Sequence, residues 1–308
     1  MPTPNPKSPN VTRMTKKQRN RARRTPQKVS LKPWWQSSGT IGGGAAVVVV
    51  VLIIVFVVVS RSAPPAVTQP GLGPASASLL SAVTEPSPAV VAAVGTGGQP
   101  GNLNRLRATT ILQGANGKPL IVYVGAEYCP YCAAERWSIV MAMARFGTFS
   151  SLQQAMSSST DVDPNTHTFT FHGSSYSSTI VDFQPVELED RNQQPLESPS
   201  AQISQIFGSI DQPPYTASVG GFPFLDVGGR FTLNATSYDP ALLQGLTWDQ
   251  IAADLSDASS PVTRAIVGNA NYLTAAICAV TQNQPTSACS LPVVQTVETT
   301  LGTQSPVG

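Results

Sequence analysis

Leu120-Ile121-Val122-Tyr123-Val124-Gly125-Ala126-Glu127-Tyr128-Cys129-Pro130-Tyr131-Cys132 decides how this 308-residue chain is read. Five apolar residues predict a buried strand, Gly125 to Tyr128 a turn, and the run from the first cysteine to Phe146 a helix. Pro130 suits the first turn of that helix, where its missing N–H is not needed. At a helix start the unpaired N–H groups and the positive end of the dipole favour an anion, so Cys129 is expected to ionise more readily than a free thiol. Cys132 lies one turn further along the same face, within reach of a disulfide with Cys129. An exposed thiolate with a resolving thiol behind it is the working part of a thiol–disulfide exchanger.

Zinc knuckles use C-x-x-C as well. The chain holds four cysteines, and the second pair, Cys278 and Cys289, is separated by ten residues; the two histidines, His167 and His172, lie on another segment. Redox chemistry is therefore favoured over a metal site, and neither metal nor cofactor is expected. In an oxidising compartment Cys278 and Cys289 read most simply as a structural disulfide, contributing about 2–4 kcal/mol. A second redox relay is the sharper alternative.

Charge and hydropathy set the expected compartment. Residues 1–32 carry ten Lys or Arg and no acidic residue, and Ile41 to Val59 follow without a charge. A helix of that length spans roughly the ~30 Å hydrocarbon core, with Trp34 and Trp35 at the level of an aromatic belt. The basic flank places the N-terminus in the cytoplasm and the rest outside it. The expected division is a basic cytoplasmic tail over 1–40, a transmembrane helix over 41–60, a Pro/Ala/Gly-rich tether over 61–103, an extracytoplasmic domain over 104–295 and a disordered tail over 296–308. A cleaved signal peptide and a nucleic-acid arm are the competing readings of the N-terminal stretch. Although the whole chain has a formal charge of +2, residues 61–308 alone carry −8, which argues against a nucleic-acid partner. Within the tether, an amphipathic piece around Leu79 to Val83 is expected to dock on the domain or on the membrane.

Further along, Ser157-Ser158-Ser159-Thr160 reads as a loop and Thr168 to Phe171 as a half-buried strand. Ile180 to Leu188 reads as a strand interrupted at Pro185, which points to an edge or a bulge. Ser198-Pro199 is expected to open a helix through Phe207. Gly220 to Asn234 reads as a proline-led strand, a Gly228-Gly229 turn and a returning strand. Asp239-Pro240 starts a short helix, Thr247-Trp248-Asp249-Gln250 forms a capping box, and Ser260-Pro261 opens a helix to about Val280. Asn234-Ala235-Thr236 and Asn10-Val11-Thr12 match the glycosylation tripeptide, which has meaning only in a host that glycosylates.

That order resembles the thioredoxin superfamily, and the resemblance implies an α/β, thioredoxin-like fold with an inserted segment over 148–178, preceded by a single N-terminal transmembrane helix. It also implies that Pro223 is a cis-proline facing the redox pair. The segment Gly125 to Trp137, Arg145-Phe146-Gly147, Ala275-Ala276-Ile277-Cys278 and Cys289 narrow the match. Together they look like the membrane-anchored, thioredoxin-like proteins of the domain-of-unknown-function family nine-two-nine, over roughly Lys118 to Pro292.

The expected chemistry has Cys129 attacking a substrate sulfur and Cys132 resolving the mixed disulfide. Tyr131, Phe222 and Pro223 are expected to line the substrate groove, and Glu127 is a candidate proton acceptor for Cys132. Arg136 reads as the partner of a surface or interhelical ion pair. The expected partners are cysteine-containing extracytoplasmic proteins, a membrane redox partner and, through residues 41–60, the lipid bilayer. A non-catalytic binding or scaffold module with a locked disulfide is the alternative.

Overall fold

Leu120 to Gly125 form the central strand because each of its residues is buried, a pattern that needs cover on both faces. The computed structural model describes residues 72–114 and 116–308. The basic tail, the expected span over 41–60 and the first part of the expected tether lie outside the described residues.

In chain order the elements are β1 (Gly73–Pro74), α1 (Ala77–Thr84), α2 (Pro88–Val94), β2 (Asn104–Arg105), β3 (Leu120–Gly125), α3 (Pro130–Met143), β4 (Thr148–Met156), β5 (His167–Ser177) and β6 (Asp182–Glu187). Then come α4 (Ala201–Ile210), β7 (Phe224–Val227), β8 (Phe231–Leu233), a 3₁₀ turn (Pro240–Leu243), α5 (Trp248–Asp254), α6 (Pro261–Val280), α7 (Thr286–Cys289) and α8 (Pro292–Thr303). The fold is mixed α/β. One sheet has the order β2-β8-β7-β3-β6, with β3 parallel to β6 and antiparallel to β7; a second has the order β1-β4-β5.

Alternation along β3 divides the core. Ile121 and Tyr123 point to the large cluster that contains Trp137 and Val140 of α3 and Ile266 and Ile277 of α6. Leu120, Val122 and Val124 point to the other face, where Val186, Phe224, Ile203 and Ile206 of α4 cover them. β6 is an edge strand of its sheet, and Pro185, opposite Tyr123, sits there without breaking the ladder. The β7–β8 turn runs through Gly228 (φ +61°) and Gly229 (φ +66°), a left-handed pair that residues with a Cβ rarely adopt. Thr247 and Gln250 complete the capping box of α5.

Several expectations are corrected. The end of the expected tether, from residue 72, belongs to the folded unit: Leu79 and Val83 of α1, Val90, Val91 and Val94 of α2, and Leu103 all join the large core cluster. Pro, Ala, Gly and Ser make the stretch read as a tether, but its Leu and Val side chains recur at helical spacing, and Ser76 caps α1 by accepting the Leu79 N–H at 3.2 Å. Among the described residues no single helix is long and apolar enough to cross a membrane; α1 with α2 passes only as a pair bent by 47°. The expected disordered tail over 296–308 contains most of α8, which buries Val294, Val297 and Leu301, and Val307 bridges Leu106.

Two further elements differ. Ser200, not Ser198, caps α4, so that helix begins at Ala201. Residues 148–156 form a nine-residue strand, and Thr168 to Phe171 are buried on both faces rather than one. The aromatic rings explain this: Phe169 meets Trp137 edge-on at 4.5 Å and Phe171 meets Tyr123 at 5.0 Å, while Trp248 donates to Thr168 O at 2.6 Å.

Candidate functional site

β3 delivers the chain to the start of α3, and the first cysteine is the N-cap of that helix. Cys129 has extended backbone, and its sulfur accepts the N–H of Cys132 at 3.2 Å, satisfying a donor that a helix start would otherwise leave unpaired. Pro130 occupies the first helical turn. Both thiols are free, and with Ala126 they form a small cluster against which Tyr128 and Phe222 pack.

Exposure departs from expectation. Cys132 is fully buried, as a resolving thiol is, but Cys129 retains only 6% of its surface. Tyr128 and Phe222 pack against the pair and contribute to that cover. Tyr131, between the cysteines, is 43% exposed and forms the open side of the motif.

The two thiols are pushed in opposite directions. The Cys132 thiol, hydrogen-bonded to Cys129, draws Cys129 below the ordinary thiol range against the opposing effect of burial, and the Cys132 N–H and the Arg136 guanidinium add to it. Burial drives Cys132 well above that range, and neighbouring Cys129 adds to it. The pair thus has the asymmetry of an attacking and a resolving thiol.

Behind the motif lies a buried ion pair. Arg136 is one turn beyond Cys132, fully buried, and donates in parallel to both carboxylate oxygens of Glu187 on β6, at 2.8 and 2.7 Å. The same guanidinium donates to Ala126 O at 2.7 Å, tying the turn before the cysteines to the helix after them. Its centre lies 5.9 Å from the Tyr123 ring centroid. The expectation of a surface or interhelical pair is therefore replaced by a helix–strand pair in the interior. Glu187 and Tyr123 are members of this neighbourhood that motif reading missed. The signal in the sequence is the Glu135-Arg136 pair of charges in an otherwise largely apolar helix, both of which are buried.

Glu127 is half-buried after β3, and its N–H donates to Glu189 O at 2.9 Å. Its carboxylate acts on Glu187, pushing that carboxyl upward, while burial is the larger cause of the same rise. Phe222 is brought to the cysteines, and the Phe222–Pro223 bond is cis with Pro223 buried at the head of β7. The inserted β4–β5 segment reaches the site too: the Ser158 N–H donates to Tyr128 O at 2.8 Å.

Cys278 and Cys289 are joined by a disulfide that fastens the end of α6 to α7. Among the described residues no three His, Cys, Asp or Glu side chains group as a metal site. No curated protein and no solved structure matches the chain. A family model does match, over residues 111–279, from the strand before the cysteines to the start of the disulfide. That match covers more than half of the sequence, and the chain belongs to the family described as Domain of unknown function (DUF929).

Proposed function

We propose that the chain has a thioredoxin-like fold and acts as a thiol–disulfide oxidoreductase on protein cysteines outside the cytoplasm, tethered to the membrane through residues 41–60. One observation carries this reading: a free cysteine caps the helix that follows a buried strand, with a second free cysteine buried one turn behind it. The strand order around β3 and the Phe222–Pro223 segment packed at the pair support it.

In the reducing direction, the Cys129 thiolate attacks one sulfur of a substrate disulfide. That S–S bond breaks, the departing thiolate takes a proton from water, and a mixed disulfide with Cys129 remains. Cys132 then loses its proton and attacks the Cys129 sulfur, releasing the second substrate thiol. The substrate gains two electrons and the protein pair loses two. Oxidation of secreted proteins runs these steps in reverse from the disulfide form, a substrate thiolate attacking the Cys129 sulfur and displacing Cys132. Isomerisation starts from the reduced pair and ends when another substrate thiolate displaces Cys129, with no net transfer of electrons. An oxidising compartment makes these the expected directions. Oxidation requires a membrane redox partner that accepts the two electrons and restores the disulfide.

The groups around the pair fit these roles. Arg136 sits where positive charge favours either thiolate, and its bond to Ala126 O holds the turn in place. Burial keeps Cys132 protonated until Cys129 is engaged, which disfavours premature attack.

A second reading rests on the 6% exposure of Cys129: a binding or scaffold module whose pair stays locked. Alkylation separates the two. The oxidoreductase reading expects Cys129 to be modified quickly near pH 7 after mild reduction, with Cys132 slow until the protein unfolds. A pair that resists mild reductant, or two thiols that react equally slowly, would support the scaffold instead.

A further inference from the structure

Asp211 ends α4 and is 2% exposed, although it is a carboxylate at the start of a loop. No basic side chain forms an ion pair with it among the described residues. Its oxygens instead gather donors from three separate points of the chain. Oδ2 accepts the Gly221 N–H at 2.7 Å; Oδ1 accepts the Asn234 amide at 2.9 Å and the Thr216 hydroxyl at 3.3 Å. Asn234 also donates to Ser218 O at 2.9 Å, and the Thr216 hydroxyl divides its one proton between Asp211 Oδ1 and Ser218 O, the latter at 2.9 Å.

This network closes the loop Asp211–Gly221 onto itself and onto the end of β8. The residue after Gly221 is Phe222, which packs against Ala126, Cys129 and Cys132 and stacks on Phe207 of α4 at 6.0 Å with an interplanar angle of 10°. Gly220 (φ +68°) and Gly221 would otherwise leave this approach free to move. A Cβ on Gly221 would come within 2.8 Å of the Asn234 amide, so the clamp requires glycine there. At the outer part of the loop Val219 is 76% exposed, more than any other large apolar side chain of the described residues. Three residues from Phe222, it lies within roughly 10 Å of it by chain reach.

We infer that Asp211 is a positioning residue for the cysteine pair: it holds the loop so that Phe222 borders Cys129 and Val219 stands out to receive an extended polypeptide with apolar residues beside its cysteine. The inference rests on the exchange reading above and adds the substrate class and the device that selects it. A small disulfide needs only Cys129; an extended peptide needs the loop as well. Asn234 is the acceptor residue of a glycosylation tripeptide, but its amide is committed to Asp211 and Ser218, so the folded protein holds it closed.

The test uses the full-length chain with Cys129 and Cys132 reduced, mixed in single turnover with two probes. One is bis(2-hydroxyethyl) disulfide; the other is a peptide dimer joined by one disulfide, with Val and Phe beside each cysteine. Asp211→Asn places an amide donor near the Gly221 N–H, and Thr216→Val removes only the hydroxyl shared between Asp211 and Ser218, with less risk to folding. For the peptide, the half-saturating concentration should rise about 5-fold or more in Asp211→Asn and less in Thr216→Val, with the limiting rate and the small-disulfide rate within about 2-fold of the parent. Val219→Ser should raise it as well. Should Asp211→Asn not fold, Thr216→Val and Val219→Ser decide. An unchanged half-saturating concentration in the folded variants, or an equal fall for both probes, overturns the positioning role while leaving the exchange reading intact. If the parent protein reduces neither probe, both fail together.

Discussion

Two thiols three residues apart are displaced in opposite senses because one is hydrogen-bonded by the thiol and N–H of the other, which is itself walled into the core behind it. Arg136 adds a smaller effect that favours either thiolate, and Arg136 is itself paired with Glu187. Removing one member of a fully buried pair leaves an uncompensated charge, which costs about 3–5 kcal/mol, whereas replacing both with apolar side chains of similar volume is often close to neutral. Arg136→Met should therefore lower the stability in urea by that amount, and adding Glu187→Leu should restore most of it. In the folded double variant the alkylation pKa of Cys129 should rise, because the guanidinium that favours its thiolate is gone. A double variant no more stable than Arg136→Met would contradict the pairing.

Asp226 is a second residue-scale test. It is buried on β7; one oxygen accepts the Gly229 N–H at 2.9 Å and the other has no partner, so burial raises the carboxyl to about 7. The folded protein binds this proton more tightly than the unfolded chain does. The contribution is therefore fully present below the unfolded value near 4, declines as pH rises, and is lost above about 7, amounting to at most about 4 kcal/mol. Asp226→Asn removes the titration. Its stability relative to the parent should improve between pH 5 and pH 8, and a difference that does not change with pH would contradict the assignment.

At the scale of elements, what the sequence reveals depends on whether local signals and tertiary contacts agree. The β3–turn–α3 unit, the edge position of β6, the glycine turn after β7 and the capping box of α5 are legible because propensity, pattern and cap chemistry coincide there. β4 is not: Thr148 to Met156 is largely polar, and its strand form comes from pairing with β5. The helices α1 and α2 are hidden by a composition that matches a flexible tether, and their apolar residues gain meaning only against the helices they cover. The site divides likewise: the cysteines announce themselves, while Glu187 and Asp211 are joined to the pair only by the fold. One consequence is measurable. A chain beginning at residue 104, the boundary the composition indicates, should lose the cover of Leu79, Val83, Val90 and Val91 and unfold at markedly lower urea than one beginning at residue 72. Equal midpoints would show that α1 and α2 contribute no stability.

For the molecule as a whole, the free cysteine pair and the closed disulfide lie on different elements of the fold, so one chain holds a free pair and a bonded one. Residues 61–308 carry a formal charge of −8 and the preceding residues are strongly basic, a division that supports the proposed placement of the tail and the folded domain on opposite sides of a bilayer. The proposed activity then falls where disulfides form and persist. The most direct test is to express full-length Cys132→Ala in its native host and resolve the protein without reductant. The account predicts mixed disulfides through Cys129 that vanish on reduction and in a Cys129→Ala control. A folded Cys132→Ala protein that captures no partner through Cys129 would contradict it.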